Sequence, residues 1–218
     1  MALENEVKFL LPADFVDSVI FEDSYPSFRE DPVLSVSTIY LDFEGAGLLH
    51  RDASLGVLAW PGKPDEVRLV FKETLDWSGP VRHSLEVAVD MSTSDLSAAL
   101  GTQSDTLAVR RARLLGRASE EPTAQVVTSQ VRQRRYRLLG DGHLLVTNRD
   151  KVRFVEPDRQ SQLGCAEFLE LETHFGDSLC AYALNDLAAR YASLLNRAPL
   201  RVQKYAFGMS LRLAMGAV

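Results

Sequence analysis

The chain has 218 residues, 46% of them hydrophobic, enough for one large domain with a substantial buried core. Its formal net charge of -6 argues against a protein that coats nucleic acid, because non-specific duplex binding depends on Lys and Arg neutralising phosphates, although a local basic pocket stays open. Only Cys165 and Cys180 are present, with no CxxC and no flanking His pair, which excludes a disulfide framework and the common zinc spacings. No apolar run approaches the roughly 18–20 residues of a membrane span, and "MALENEVKFLL" lacks a leader-type apolar stretch. A soluble, cytoplasmic protein is expected, as one domain over residues 1–218, because no linker or repeat divides the chain.

In chain order, the first strand is predicted over 3–11. Pro12 then suits the first turn of a helix over 12–20. Strands follow over 36–43, 56–60, 66–74 and 83–90, rich in β-branched and aromatic residues. "TSDLSAALG" predicts a short helix capped by Thr93 or Ser94 and stopped by Gly101. "SDTLAVRRARLLGR" places Leu107, Arg110, Arg111, Leu114 and Leu115 at helical spacing, its cations toward the C-terminal end. Further strands are predicted over 124–139, 143–149, 152–155 and 166–175. The longest helix, "DSLCAYALNDLAARYASLLNR", carries Leu179, Ala183, Leu187, Tyr191 and Leu194 at spacings of three and four, and Pro199 closes it. A last strand is predicted over 202–209.

The strands alternate in an unusual way. Successive strand side chains point to opposite faces, so Glu4, Glu6 and Lys8 share one face while Asn5, Val7 and Phe9 take the other. Arg68 and Lys72 share a face with Val70; Ser84, Glu86, Ala88 and Asp90 share another. Arg132, Arg134 and Tyr136 lie together, opposite Arg135 and Arg137. That division argues against a continuous nucleic-acid stripe. Phe168, Glu170, Glu172 and His174 oppose Leu169, Leu171 and Thr173, and Lys204 shares a face with Val202 and Ala206.

Two arrangements satisfy this pattern. In a sandwich, the charged faces meet water and the apolar faces fill the core. In a closed barrel with its apolar faces under helices, the charged faces line a tunnel holding both signs. Lys and Arg in such a lumen need an anion of high charge density, and a triphosphate or polyphosphate chain fits. The carboxylates would repel that chain unless a hard divalent cation, Mg²⁺ or Mn²⁺, stood between them. "EGAG" and "GDGH" lack the spacing of phosphate loops, and His50, His83 and His143 suggest no nucleophilic triad.

The Glu4, Glu6, Lys8 alternation resembles the ExExK signature of the triphosphate tunnel metalloenzymes, which include the CYTH domains, RNA triphosphatases and VTC polyphosphate-polymerising domains. "VSTIYLDF", "FLELE" and "RVQKYAFG" resemble, in order, the Tyr-x-Asp strand, the late Glu-bearing strand and the terminal Lys-Tyr of the VTC type. The resemblance spans residues 4–208 and implies an α+β fold. In it, an antiparallel closed barrel of about eight strands forms a charged tunnel, with flanking helices and a long C-terminal helix. It implies that Glu4, Glu6, Glu170 and Glu172 hold the metal. Lys8, Arg68, Arg134 and Lys204 would act on the phosphate in catalysis, with Lys72, Arg132 and Arg153 completing the substrate path and Glu86 also in the lumen. His174 extends the Glu170 and Glu172 face as a further candidate ligand. The pattern is broken at four places: Val70 and Ala88 replace cations, Phe43 a Thr and Gln203 a Ser. Three classes follow: a metal-dependent polyphosphate polymerase, a triphosphatase acting on inorganic, thiamine or nucleoside triphosphate, and a non-catalytic polyphosphate or nucleotide sensor. No stable nucleic-acid partner is expected, and a membrane protein could recruit the domain.

Overall fold

The computed structural model describes residues 1–13, 15, 27–138, 144–158, 161–174 and 178–216. The expected helix over 12–20 lies almost wholly outside them. Nine strands form one sheet: β1 (Ala2–Leu10), β2 (Ser27–Glu30), β3 (Leu34–Asp42), β4 (Ala53–Trp60), β5 (Lys63–Ser78), β6 (Val81–Ser92), β7 (Thr123–Leu138), β8 (Leu144–Val155) and β9 (Gln162–His174). The order β7-β3-β4-β5-β6-β1-β9-β8 closes on itself through a β7–β8 pairing, and every pairing is antiparallel. Short β2 extends the β3 edge along the end of β7. Closure removes the exposed sheet edges and decides the earlier choice between sandwich and barrel.

Helices α1 (Leu96–Leu100), α2 (Leu107–Gly116) and α3 (Ser178–Leu195) lie outside the barrel, and α4 (Lys204–Ala214) ends the chain. The apolar strand faces point outward beneath α2 and α3, as the barrel alternative expected. Val7, Phe9, Leu169 and Leu171 pack under Leu184, Leu187, Ala188 and Tyr191 of α3, while Leu55, Leu69, Phe71 and Val87 pack under Ala108, Val109 and Ala112 of α2. The buried stripe of α2 is therefore built from its small residues. Leu107 and Leu114, noted at helical spacing, are exposed; on α3 Leu194 is exposed as well and Leu195 is buried in its place. Thin side chains let α2 approach the sheet closely.

The C-terminal segment differs from expectation. Residues 204–214 are a helix, not a strand, and the segment leading into it crosses the end of the barrel. Phe207, Met209 and Leu211 of α4 meet Leu10, Val126, Val152, Phe154 and Phe168, which share strand parity with the inward charged residues. At Gly208 an added Cβ would come within 2.8 Å of Val126 and 2.9 Å of Phe154, so the helix seats in the barrel end only because that position has no side chain. The α4 segment is thus a floor. The segments expected over 143–149 and 152–155 are one strand, β8.

Asp42 fastens this floor. Fully buried at the end of β3, its Oδ1 accepts from the backbone N–H groups of Phe43 (2.7 Å) and Leu48 (2.8 Å), and its Oδ2 from Leu49 N–H (3.0 Å) and the Tyr205 hydroxyl (2.8 Å). One carboxylate joins a sheet strand, the turn after it and the start of α4. Asp42→Ala leaves four donors without that acceptor, and each unsatisfied buried group costs about 1–3 kcal/mol. Urea denaturation should show a loss several times that of Tyr205→Phe, which removes one donor; equal losses would show that the backbone donors find other acceptors.

Candidate functional site

Inside the barrel is a cavity of about 410 Å³. Strand alternation decides what faces it. β1 contributes Glu4, Glu6 and Lys8; β5 contributes Arg68, Val70 and Lys72; β6 contributes Arg82 and Glu86. β7 contributes Gln130, Arg132 and Arg134, and β9 contributes Glu170 and Glu172. From the floor come Gln203, Lys204 and Tyr205 together, because they enter as the first turn of a helix rather than alternating along a strand.

Of the sequence-derived candidates whose side chains are described, all but one reach this cavity. The exception is Arg153. Asn148 and Asp150 of β8 face inward, so Arg153 points outward and is exposed, opposite Cys165 on the outer face of β9. Arg68 sits at the rim, 43% exposed, held by Asp90 at 2.6 and 2.9 Å and lying over the Trp60 ring. β9 pairs His174 with Glu4, but the His174 side chain lies outside the described residues. The division of "RQRRYR" is as expected: Arg132 and Arg134 line the cavity, whereas Arg137 lies outside it, buried against Tyr191.

The buried charges form a continuous chain. Lys72 contacts Glu4 at 2.6 Å and Glu6 at 3.0 Å; Glu6 contacts Lys8 at 2.9 Å; Lys8 contacts Glu170 at 3.1 Å. Glu170 reaches Lys204 at 3.0 Å and Arg132 at 3.3 Å, and both of these hold Asp150, Arg132 through a fork of 2.8 and 2.7 Å. Burial pushes the Glu6 carboxyl up, but Lys72, Lys8 and Arg82 overrule it and hold it well below the usual range. Likewise burial opposes the charged form of Asp150, yet Arg132 and Lys204 keep it ionised. Lys72 and Lys204 rise above the ordinary lysine value, because their carboxylate neighbours outweigh desolvation.

Two groups stand outside this pairing. Glu172 has no salt bridge among the described residues, and burial followed by the charges of Glu170 and Glu4 pushes it up to about 7. Arg82 is 3% exposed; among the described residues its only ion pair is a long one, 3.8 Å to Glu6, and its Nε and Nη2 have no hydrogen-bond acceptor. Sequence reasoning missed Arg82 and Asp150. The first strand was begun two residues late, at 83 instead of Val81, although the parity of Ser84 and Glu86 continues back to Arg82, and the second was broken across Asp150.

The expected metal ligands face the cavity, but among the described residues no three Asp, Glu, His or Cys side chains converge as a coordination group. Their chemistry still fits a hard divalent ion. The donors are all carboxylate oxygens, and Glu172 and Glu86 are both pushed up by burial and by neighbouring carboxylates, the repulsion a cation would relieve. That repulsion has a sign. Because the folded value of Glu172 lies above that of an unfolded Glu, stability is fully present at low pH and falls as pH rises toward about 7, where the native state must give up the proton. Without added metal, Glu172→Gln should raise Tm at about pH 8 and change it little at about pH 5. Equal Tm changes at both pH values would remove the repulsion argument.

No protein-family model and no curated protein matches the sequence. Solved structures do match in fold. HpAC1 of Hippeastrum, named as an adenylyl cyclase with a dominant triphosphatase activity, aligns with a TM-score of 0.61 at 14% identity, over 95% of both chains. A protein of Bacillus halodurans named as an adenylate cyclase aligns with a TM-score of 0.58, also at 14% identity, over 94% of this chain and 96% of that one. The chain therefore has the fold of these proteins, a closed antiparallel barrel.

Proposed function

We propose that the cavity binds the phosphate chain of a triphosphate and, with a divalent cation, hydrolyses it. The observation that carries this reading is Arg82: a buried guanidinium with two unpaired donor nitrogens facing a cavity lined by six other cationic side chains. Leaving such donors unsatisfied is costly, and phosphate oxygens supply the acceptors. The triphosphatase activity named for the Hippeastrum protein supports the same direction.

The residues divide the work by position. Lys8, Arg132 and Lys204 lie near the floor and already hold carboxylates, so phosphate oxygens would compete with Glu170 and Asp150 for them. Arg82 and Arg134 complete the grip from the sides, and charge-assisted contacts of this kind stabilise the oxygens of a transferring phosphoryl group. Glu4, Glu6, Glu170 and Glu172 would hold Mg²⁺ or Mn²⁺, which supplies charge neutralisation between carboxylate and phosphate. The balance of charge makes that ion necessary. Seven lining cations face five lining carboxylates, and Arg68 and Arg132 are further neutralised by Asp90 and Asp150. A highly charged anion gains little there unless a cation enters with it.

The polymerase reading suggested by the VTC resemblance has less to stand on. A polymerase must release a growing chain, whereas α4 closes one end of this barrel. Hydrolysis needs only one mouth. The test is thermal: tripolyphosphate at about 100 times its Kd should add roughly 2.7 kcal/mol, about 5–10 °C in Tm for a chain of this size. The shift should need Mn²⁺ or Mg²⁺ and be lost in Arg82→Ala. Orthophosphate release would then support the hydrolase, and lengthening chains from ATP the polymerase. No shift with any phosphate chain would overturn the anion site.

A further inference from the structure

Lys72 reaches past its own cross-strand neighbour. The register of β5 and β6 sets it directly beside Glu86, yet among the described residues no salt bridge joins the two. Its ammonium crosses β6 to β1 and sits between the two inward glutamates there, 2.6 Å from Oε2 of Glu4 and 3.0 Å from Oε2 of Glu6. These are the very carboxylates on β1 that the metal reading needs. Opposite Glu6 in the β1–β9 register stands Glu172, which has no salt bridge among the described residues. The other cations nearby are tied down more firmly. Lys204 and Arg132 are anchored on Asp150, which the metal reading leaves alone, and the Lys8 side chain is 5% exposed. The Lys72 side chain is 17% exposed, on a flexible stem of four methylenes, and has room to turn.

An ammonium and a divalent ion compete for one pair of carboxylates. Both are positive and both seek the same oxygens, so the Glu4–Glu6 pair accepts one or the other. Lys72 cannot simply leave, because a buried ammonium without a counter-charge is costly. A phosphate chain offers it a new partner. Resting on the anion-site reading above, we propose that Lys72 is a stand-in cation. It holds Glu4 and Glu6 until a phosphate chain enters, then turns to a phosphate oxygen and gives up the pair, opposite Glu172, to the divalent ion. Metal and anion uptake are thereby coupled through one side chain, and such coupling is reciprocal. The barrel binds the ion weakly by itself and firmly together with the anion.

The test uses the metal alone. Mn²⁺ is titrated into the native chain with no anion present, and binding is followed by loss of the free-ion electron paramagnetic resonance signal. Lys72→Met keeps the stem and removes the charge, and it should bind Mn²⁺ at least about tenfold more tightly than the native chain, within the range of couplings between sites. Lys72→Arg restores a cation and should bind as weakly as the native chain. Arg134→Met controls for loss of positive charge in general. Arg134 donates to Asn148 at 2.8 Å and has no salt bridge among the described residues, so its loss leaves the Glu4–Glu6 pair occupied. That variant should change Mn²⁺ affinity by less than about threefold. Circular dichroism checks that each variant keeps the barrel, and Lys72→Gln, whose amide can still donate to a carboxylate, replaces Lys72→Met if the latter does not fold. Equal Mn²⁺ affinities in the native chain and the neutral Lys72 variant, or an equal gain from Arg134→Met, would overturn this inference. Either result leaves the anion site standing, since no anion enters the titration. Failure of every phosphate chain to shift Tm would remove the anion site and the exchange with it.

Discussion

A closed barrel with apolar faces outward has no choice about its interior: every second residue of every strand points into a space with little water. In this chain many of those residues are charged, and the structure depends on their finding one another. The chain of contacts from Lys72 through Glu6, Lys8, Glu170 and Lys204 to Asp150 and Arg132 ties β5, β1, β9, α4, β8 and β7. Desolvating an ion costs several kcal/mol even after relaxation, and pairing recovers that cost only when geometry is close. The contacts here are close, and directions of titration follow them: Glu6 and Asp150 stay ionised although buried. Such a lattice adds little net stability compared with an apolar core of the same volume. It keeps charged donors and acceptors assembled where an ionic ligand can exchange with them.

How much of this was legible beforehand follows from parity. Alternation is a local property, so Glu4, Glu6, Lys8, Glu170 and Glu172 could be assigned to one face from their spacing, and the structure brings all five to the cavity. Closure is not local. Nothing in a single strand distinguishes a charged face toward water from one toward a lumen, and only the β7–β8 pairing decides it. Parity also fails wherever an element is broken or mistyped. Reading β8 as two strands lost the phase between Asp150 and Arg153, which put the arginine inside and overlooked the aspartate. Reading residues 202–209 as a strand placed Gln203 and Tyr205 away from Lys204, whereas one helical turn presents all three.

The terminal segment was hard to read because its composition suits either element. "VQKYAFGM" is β-branched and aromatic enough for a strand, and Gly208 is unfavourable inside a helix by about 1 kcal/mol. Packing reverses that preference. Only a residue without Cβ lets the helix settle against Val126 and Phe154, and the contact is made with residues more than fifty positions away in sequence. Asp42 belongs to the same class: it was part of a recognisable Tyr-x-Asp strand, but its partners, the turn after β3 and the Tyr205 hydroxyl, emerge only in three dimensions.

Lys204 belongs both to the floor and to the ion lattice, and this governs how its substitution is to be understood. Its ammonium holds Asp150 and Glu170, while the next residue, Tyr205, is fastened to Asp42 and stacked on Tyr40 at 5.6 Å between ring centroids. Removing the lysine leaves two buried carboxylates with less counter-charge, and breaking a buried pair in this way costs about 3–5 kcal/mol. Lost turnover at this position would therefore combine a missing phosphate contact with a loosened barrel end. Arg82 is different. Among the described residues it has only one long ion pair to lose and two donors without acceptors, so its removal takes little from the barrel and should be felt mainly when an anion is bound. The least satisfied cation in the cavity is therefore the one whose substitution reports most directly on ligand.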